Sequence, residues 1–162
     1  MSVLALAVIL AGCGVPPTGV LDAGEPATGL TKGLQLYYVR DTTLQGVPRP
    51  DTPITDLTSV VKLLAEAPTR AERERGLINL VRLNRTYEAT GTGHHLTLRA
   101  PGTNLSGKRS HLAAGQLVCS LARAQGVLHK EVRPDEVQVT LDGQGKPLGP
   151  YQCSQFPHAG VS

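Results

Sequence analysis

Asp56-Leu57-Thr58-Ser59-Val60-Val61-Lys62-Leu63-Leu64 spells the clearest helix in the chain. Leu57, Val60, Val61 and Leu64 recur at i, i+3, i+4 and i+7, one apolar stripe on a helix of period 3.6. Thr55 or Asp56 supplies the N-cap, and Pro68 stops or kinks the helix. Before it, Leu34-Gln35-Leu36-Tyr37-Tyr38-Val39 alternates in part at period 2, and Leu44-Gln45-Gly46-Val47 follows after Asp41-Thr42-Thr43. That is a β-hairpin whose second strand ends at Pro48 and Pro50. After it, Thr69 to Arg75 is charged and predicts a short second helix terminated by Gly76.

Further along, Thr86-Tyr87-Glu88-Ala89 and His95-Leu96-Thr97-Leu98 predict two strands joined at Gly91-Thr92-Gly93. Ser110 is the expected cap of a helix reaching about Gln125, with Ala113, Leu117, Leu121 and Ala124 on one face and Gly126 as its end. Val137, Val139 and Leu141 alternate with polar residues, a half-buried strand. Asp142-Gly143-Gln144-Gly145 turns the chain into a last extended piece with Tyr151 and Cys153. The order ββ-α-ββ-α-ββ predicts a small two-layer α+β domain. Its mixed or antiparallel sheet would hold about four to six strands, with two main helices on one face.

Composition narrows the function classes. Among 162 residues the aromatics are Tyr37, Tyr38, Tyr87, Tyr151 and Phe156, with no Trp. The core must therefore be aliphatic, and the stacking platforms of single-stranded nucleic-acid binders are not expected. Net charge is +3 but uneven. Between Gly76 and Arg133 stand Arg82, Arg85, Arg99, Lys108, Arg109, Arg123, Lys130 and Arg133 against only Glu88 and Glu131. Such a region can be a solvated surface or a face for anionic headgroups or an acidic wall polymer. As a docking patch it would centre on Lys108, Arg109 and Arg99.

The first residues carry a separate message. Val3 to Leu10 is an apolar run of signal-peptide length, far too short to span a bilayer. It ends in Leu10-Ala11-Gly12-Cys13, which closely resembles the lipobox of bacterial lipoproteins. The resemblance implies cleavage before Cys13 and a diacylglyceryl group on its sulfur, with acyl chains such as palmitate. The expected place is therefore the cell membrane, lipid-anchored on the extracytoplasmic side. Only Met1 and Ser2 precede the apolar run, where a signal peptide carries Lys or Arg, so a start site further upstream is expected. With Cys13 given to lipid, Cys119 and Cys153 remain as a disulfide pair in an oxidising compartment. Closing a loop of about 35 residues stabilises by roughly 4 kcal/mol in the chain-entropy model. Free thiols or a metal site are the rival reading, but no CxxC or Cys/His ligand spacing occurs.

From Gly14 to Lys32 the chain is broken by Gly14, Pro16, Pro17, Gly19, Gly24, Pro26 and Gly29, the composition of a flexible tether. A second resemblance covers roughly residues 13 to 153. The residues that carry it are Leu36-Tyr37-Tyr38-Val39-Arg40-Asp41 with Leu44 and Val47-Pro48-Arg49-Pro50. Leu63-Leu64, Ala67-Pro68-Thr69-Arg70-Ala71-Glu72, Gly76-Leu77 and Ala114-Gly115-Gln116-Leu117-Val118-Cys119 follow in order. Together they resemble GerMN-type domains of actinobacterial lipoproteins, as does the tether Cys13-Gly14-Val15-Pro16-Pro17-Thr18-Gly19. The resemblance implies an α+β envelope domain that associates with other envelope components, and no catalytic residues. The expected layout is a signal peptide over 1–12, a lipidated tether over 13–32, a GerMN-like domain over 33–153 and a tail over 154–162. The expected function is a binding or scaffolding module at the outer face of the cytoplasmic membrane. The alternative is a cell-wall-active enzyme or a binder of small anionic ligands.

Motifs suggestive of chemistry are incomplete. Gly102-Thr103-Asn104-Leu105-Ser106-Gly107-Lys108-Arg109 approaches a phosphate-binding loop, but Arg109 stands where the Mg²⁺-binding hydroxyl is required. No nucleotide is expected, although amides at this helix start with Lys108 and Arg109 can hold a surface anion. Ser59-Val60-Val61-Lys62 matches S-x-x-K without the partner motifs of penicillin-recognising enzymes. His94 and His95, adjacent in a strand, point to opposite faces and cannot readily share one ion. His111, His129 and His158 stand isolated, and Asp135-Glu136 reads as charge beside a strand. No catalytic residue, metal or cofactor beyond the lipid on Cys13 is expected.

Overall fold

The apolar stripe of the opening helix fixes where the core lies. In a computed structural model, which describes residues 33–66, 68–105 and 108–158, it forms α1, Leu57–Ala65, with Leu57, Val60, Val61 and Leu64 buried. Asp56 is the N-cap, accepting the Ser59 N–H at 2.8 Å. Cys13, the 1–12 segment and the tether lie outside the described residues, as do the side chains of Lys108 and Arg109. A short α2, Arg70–Glu74, follows under a capping box between Thr69 and Glu72.

Glu72 does more than cap. Its side chain is 6% exposed and meets Arg49 Nη1 at 2.7 Å, while its Oε2 also accepts the Thr69 N–H at 2.8 Å. Burial alone would raise the carboxyl pKa. The Arg49 guanidinium and the Thr69 amide outweigh it and hold the pKa below its ordinary value. A depressed carboxylate contributes stability that is present above its unfolded pKa of about 4.3 and lost as pH falls through the lower folded value. Glu72→Gln should therefore cost about 2 kcal/mol at neutral pH, the worth of hydrogen bonds to a charged group. The variant should also show a shallower acid limb below about pH 4 than the parent, measured by thermal melts across pH.

The strands are β1 (Leu34–Arg40), β2 (Thr43–Arg49), β3 (Glu88–Thr92), β4 (His95–Arg99), β5 (Gln138–Asp142) and β6 (Leu148–Tyr151). The third main element is the 21-residue helix α3, Lys108–Leu128. The α+β class holds, and the strands divide into two sheets. The antiparallel hairpin β1–β2 is one, with Asp41 in the left-handed region at φ 57° in its tight loop; Asp is one of the few residues that tolerate it. The other is a mixed sheet in the order β3-β4-β5-β6, in which only β4 and β5 are parallel. Helix α3 is the crossover between those two strands.

Ala89, Leu96, Leu98, Val139 and Leu141 are buried, the inward set of a period-2 alternation. α1 packs on β3, α3 on β5, and the two helices on each other. The hairpin covers a further side of α3, mainly through β1. Every residue from 113 to 122 is consequently buried, which makes α3 a core helix rather than a surface one.

Several boundaries differ from the sequence expectation, each for a local reason. Ser110 is not the cap, since α3 begins at Lys108. Gly126 does not end α3: it is a place of close approach, where an added Cβ would stand 2.7 Å from Pro134 Cγ. The β3–β4 turn is Gly93-His94, because Thr92 still pairs with His95. Pro48 lies within β2, which ends at Arg49; a two-stranded sheet has only edge strands, where proline is tolerated. Residues 154–158, expected as tail, belong to the domain. Phe156 is buried, and the Leu44 N–H donates to Pro157 O at 2.7 Å.

Buried polar side chains of α3 fasten the layers. Gln116 Nε2 donates to Tyr37 O at 3.0 Å and its Oε1 accepts the Leu80 N–H at 2.8 Å. Ser120 Oγ accepts the Tyr37 N–H at 2.9 Å, and Gln125 Nε2 donates to Gly93 O at 2.9 Å. One helix thereby holds β1, the segment after α2 and the β3–β4 turn through their backbones.

Candidate functional site: a disulfide cleft at the α3 surface

Cys119 is placed by α3 and is 1% exposed. Cys153 opens a 3-10 turn, Cys153–Gln155, and is half-buried. The two are bonded, with Cα atoms 4.7 Å apart, so the expected pairing is present. The bond ties the C-terminal segment to α3 and accounts for two of the three cysteines of the sequence.

Beside the bond lies a cleft of about 290 Å³ that also takes in Tyr37, Arg123, Asp135, Ser154 and His158. His158 is carried there by the pairing of its strand-like segment with Leu44. Its Nε2 stands 3.0 Å from Cys153 Sγ and 3.5 Å from Cys119 Sγ. The Tyr37 ring meets the imidazole edge-on, with centroids 6.1 Å apart. Burial raises the Tyr37 phenol pKa, and nearby Arg123 offsets this only in part. Tyr37 is therefore a neutral wall of the cleft at neutral pH.

Arg123 follows Cys119 by one helical turn. Its Nε is buried with no hydrogen-bond partner among the described residues. A second cleft of about 700 Å³ shares Arg123 and Pro134 with the first and adds Lys130, Val132 and Arg133. Arg133 is engaged there by Asp135 at 2.7 Å and by Glu136 at 3.5 Å.

The basic residues of the Gly76–Arg133 stretch fall on several elements. Arg99 is the last residue of β4, the end from which the chain leads to α3, with its Nε 3.5 Å from Asp142 Oδ2. Lys108 and Arg109 begin α3, and Arg82 lines a cleft with Ser110 at that same end. Arg123, Lys130 and Arg133 stand at or beyond the other end of a helix roughly 30 Å long. The remaining candidates are dispersed. His94 Nε2 is 3.2 Å from Glu136 Oε2, but without hydrogen-bond geometry. His129 Nδ1 is 3.7 Å from Glu131 Oε1, and His111 leans on Phe156. Ser59 Oγ donates to Asp56 O at 2.6 Å, so the hydroxyl of the S-x-x-K match is engaged in the helix cap.

The residue that sequence reasoning missed is His158. Five residues separate it from Cys153 and 39 from Cys119, and only the disulfide and the Leu44 pairing make the three neighbours. Compared with protein-family models, curated proteins and solved structures, the chain matches none.

Proposed function

We propose that this chain is a cell-envelope lipoprotein, anchored through lipid on Cys13 at the outer face of the cytoplasmic membrane. It presents its α+β domain, of GerMN type by its motifs, as a binding or scaffolding module. The observation that carries the reading is the Cys119–Cys153 bond. A disulfide suits an oxidising compartment, and the remaining cysteine of the sequence is the one that closes an apolar run as Leu-Ala-Gly-Cys. No helix among the described residues is long and apolar enough to cross a membrane; the proposed anchor is the lipid on Cys13. Two or more acyl chains hold a protein on a membrane where a single chain binds only marginally.

The test is fractionation of cells expressing the parent and Cys13→Ala. The parent should sediment with membranes and partition into detergent. The variant should be released or remain unprocessed. A Cys13→Ala protein that is both cleaved and membrane-bound would sink the reading.

A second reading, a binder of small anions, is favoured by the unpartnered Arg123 Nε beside Lys130 in the larger cleft. Arg123→Gln should then abolish the binding of inorganic phosphate or a phosphate polymer, followed by calorimetry. Equal binding by parent and variant would remove this reading.

A further inference from the structure

A disulfide that only staples a tail to a helix does not require an imidazole against both of its sulfurs. Here His158 Nε2 lies 3.0 Å from one sulfur and 3.5 Å from the other. The three potential ligand atoms all fall within 4.8 Å of one another. We propose that reduction of this disulfide converts the cleft into a site for a thiophilic divalent cation of the Zn²⁺ class, held by Cys119 Sγ, Cys153 Sγ and His158 Nε2.

The distances fit that coordination. Zinc binds thiolate at about 2.3 Å and imidazole at about 2.0–2.1 Å, so tetrahedral ligation sets S···N near 3.6 Å and S···S near 3.8 Å. The Cys119–His158 edge is already at that length, and the Cys153–His158 edge is about half an ångström short of it. Only the S–S edge must open substantially once the bond is broken. Cys153 can supply that movement, because it is half-buried at the cleft while Cys119 is fixed inside α3. His158 is held in place from outside the site by the Pro157–Leu44 hydrogen bond. The cleft gives the cation a path in and room for water as a fourth ligand, the open coordination of a three-ligand zinc site.

The chemistry balances with a thiol as reductant. Two thiols are oxidised to one disulfide while the protein disulfide takes up two electrons and two protons as two sulfhydryls. The cation then displaces those two protons and binds both thiolates, so a dication adds no net charge beside Arg123. Reoxidation by exchange with a small-molecule disulfide, which takes up the two electrons and two protons from water as two thiols, restores the protein disulfide, removes two ligands at once and releases the metal. The site would thus hold metal in the reduced state and surrender it in the oxidised one. It does not depend on the lipid anchor.

The experiment uses the full chain carrying Cys13→Ser, so that Cys119 and Cys153 are its only cysteines. The oxidised and phosphine-reduced forms are titrated with Cd²⁺ and followed by thiolate-to-metal charge-transfer absorption, then competed with Zn²⁺. The reduced form should bind one equivalent and the oxidised form none. His158→Ala should weaken binding by at least about 100-fold, since loss of an outer partner alone costs 10–100-fold. Thermal melts by circular dichroism guard against a reduced chain that merely unfolds, and Zn²⁺ should restore much of the melting temperature lost on reduction. No binding by the reduced chain, equal affinity in His158→Ala, or a melt that Zn²⁺ leaves unchanged would each overturn the proposal and leave a structural disulfide.

Discussion

Cys153→Ser should lower the melting temperature of the oxidised domain by roughly 10–20 °C, the largest single-residue effect expected for this protein. The bond closes a loop with a sequence separation of 34 residues. In the chain-entropy model such a constraint on the unfolded chain is worth about 4 kcal/mol. The native state adds its own dependence, because the bond anchors the segment that delivers Phe156 to the core and pairs Pro157 with Leu44. Phe156 packs against the Tyr151 and His111 rings and closes over Gly115, where an added Cβ would come within 2.8 Å of it. Paired melts of the parent and Cys153→Ser in the absence of reductant measure the difference. A shift of only a few degrees would mean that the C-terminal segment holds its place without the bond.

Gln116→Leu should cost about 3 kcal/mol although leucine is close to glutamine in size and more apolar. Gln116 is wholly buried and satisfies both the Tyr37 carbonyl and the Leu80 N–H. Leucine fills the space but strands both backbone groups, and each unsatisfied buried group costs about 1–3 kcal/mol. The gain from replacing the amide end by one more buried carbon is smaller, on the order of 1 kcal/mol. Urea denaturation should show a lower midpoint with an unchanged slope. A Gln116→Leu protein as stable as the parent would show that the hairpin and the segment after α2 are held by apolar packing alone.

Much of the fold was legible because its signals are local. The stripe Leu57, Val60, Val61 and Leu64 gave α1 and its buried face, and the Leu34–Val47 pattern gave the hairpin. The alternation of Val139 and Leu141 gave β5. Features set by tertiary contact were not legible. Gly126 reads as a helix end, yet α3 runs on to Leu128, and the glycine makes room for Pro134, which packs where a side chain would stand. Gln116, Ser120 and Gln125 carry no local signal of burial, but β1, the segment after α2 and the β3–β4 turn bring backbone groups to them. Glu72 reads as one charge in the charged stretch from Thr69 to Arg75, and its burial depends on Arg49, 23 positions away.

The candidate site divides in the same way. The Cys119–Cys153 pair follows from counting cysteines once Cys13 is assigned to lipid, whereas His158 has no motif to announce it. The basic run seemed continuous in sequence only because α3 lies within it. A helix of that length carries Lys108 and Lys130 to opposite ends of the domain.

The most direct test of the anchored-module account is the intact mass of the protein extracted from membranes with detergent, without reductant. The account predicts a chain that begins at Cys13, heavier than its amino acids by a diacylglyceryl group and acyl chains. It should also be lighter by two hydrogens for the Cys119–Cys153 bond. A protein recovered with residues 1–12 still attached and no lipid on Cys13 would contradict it.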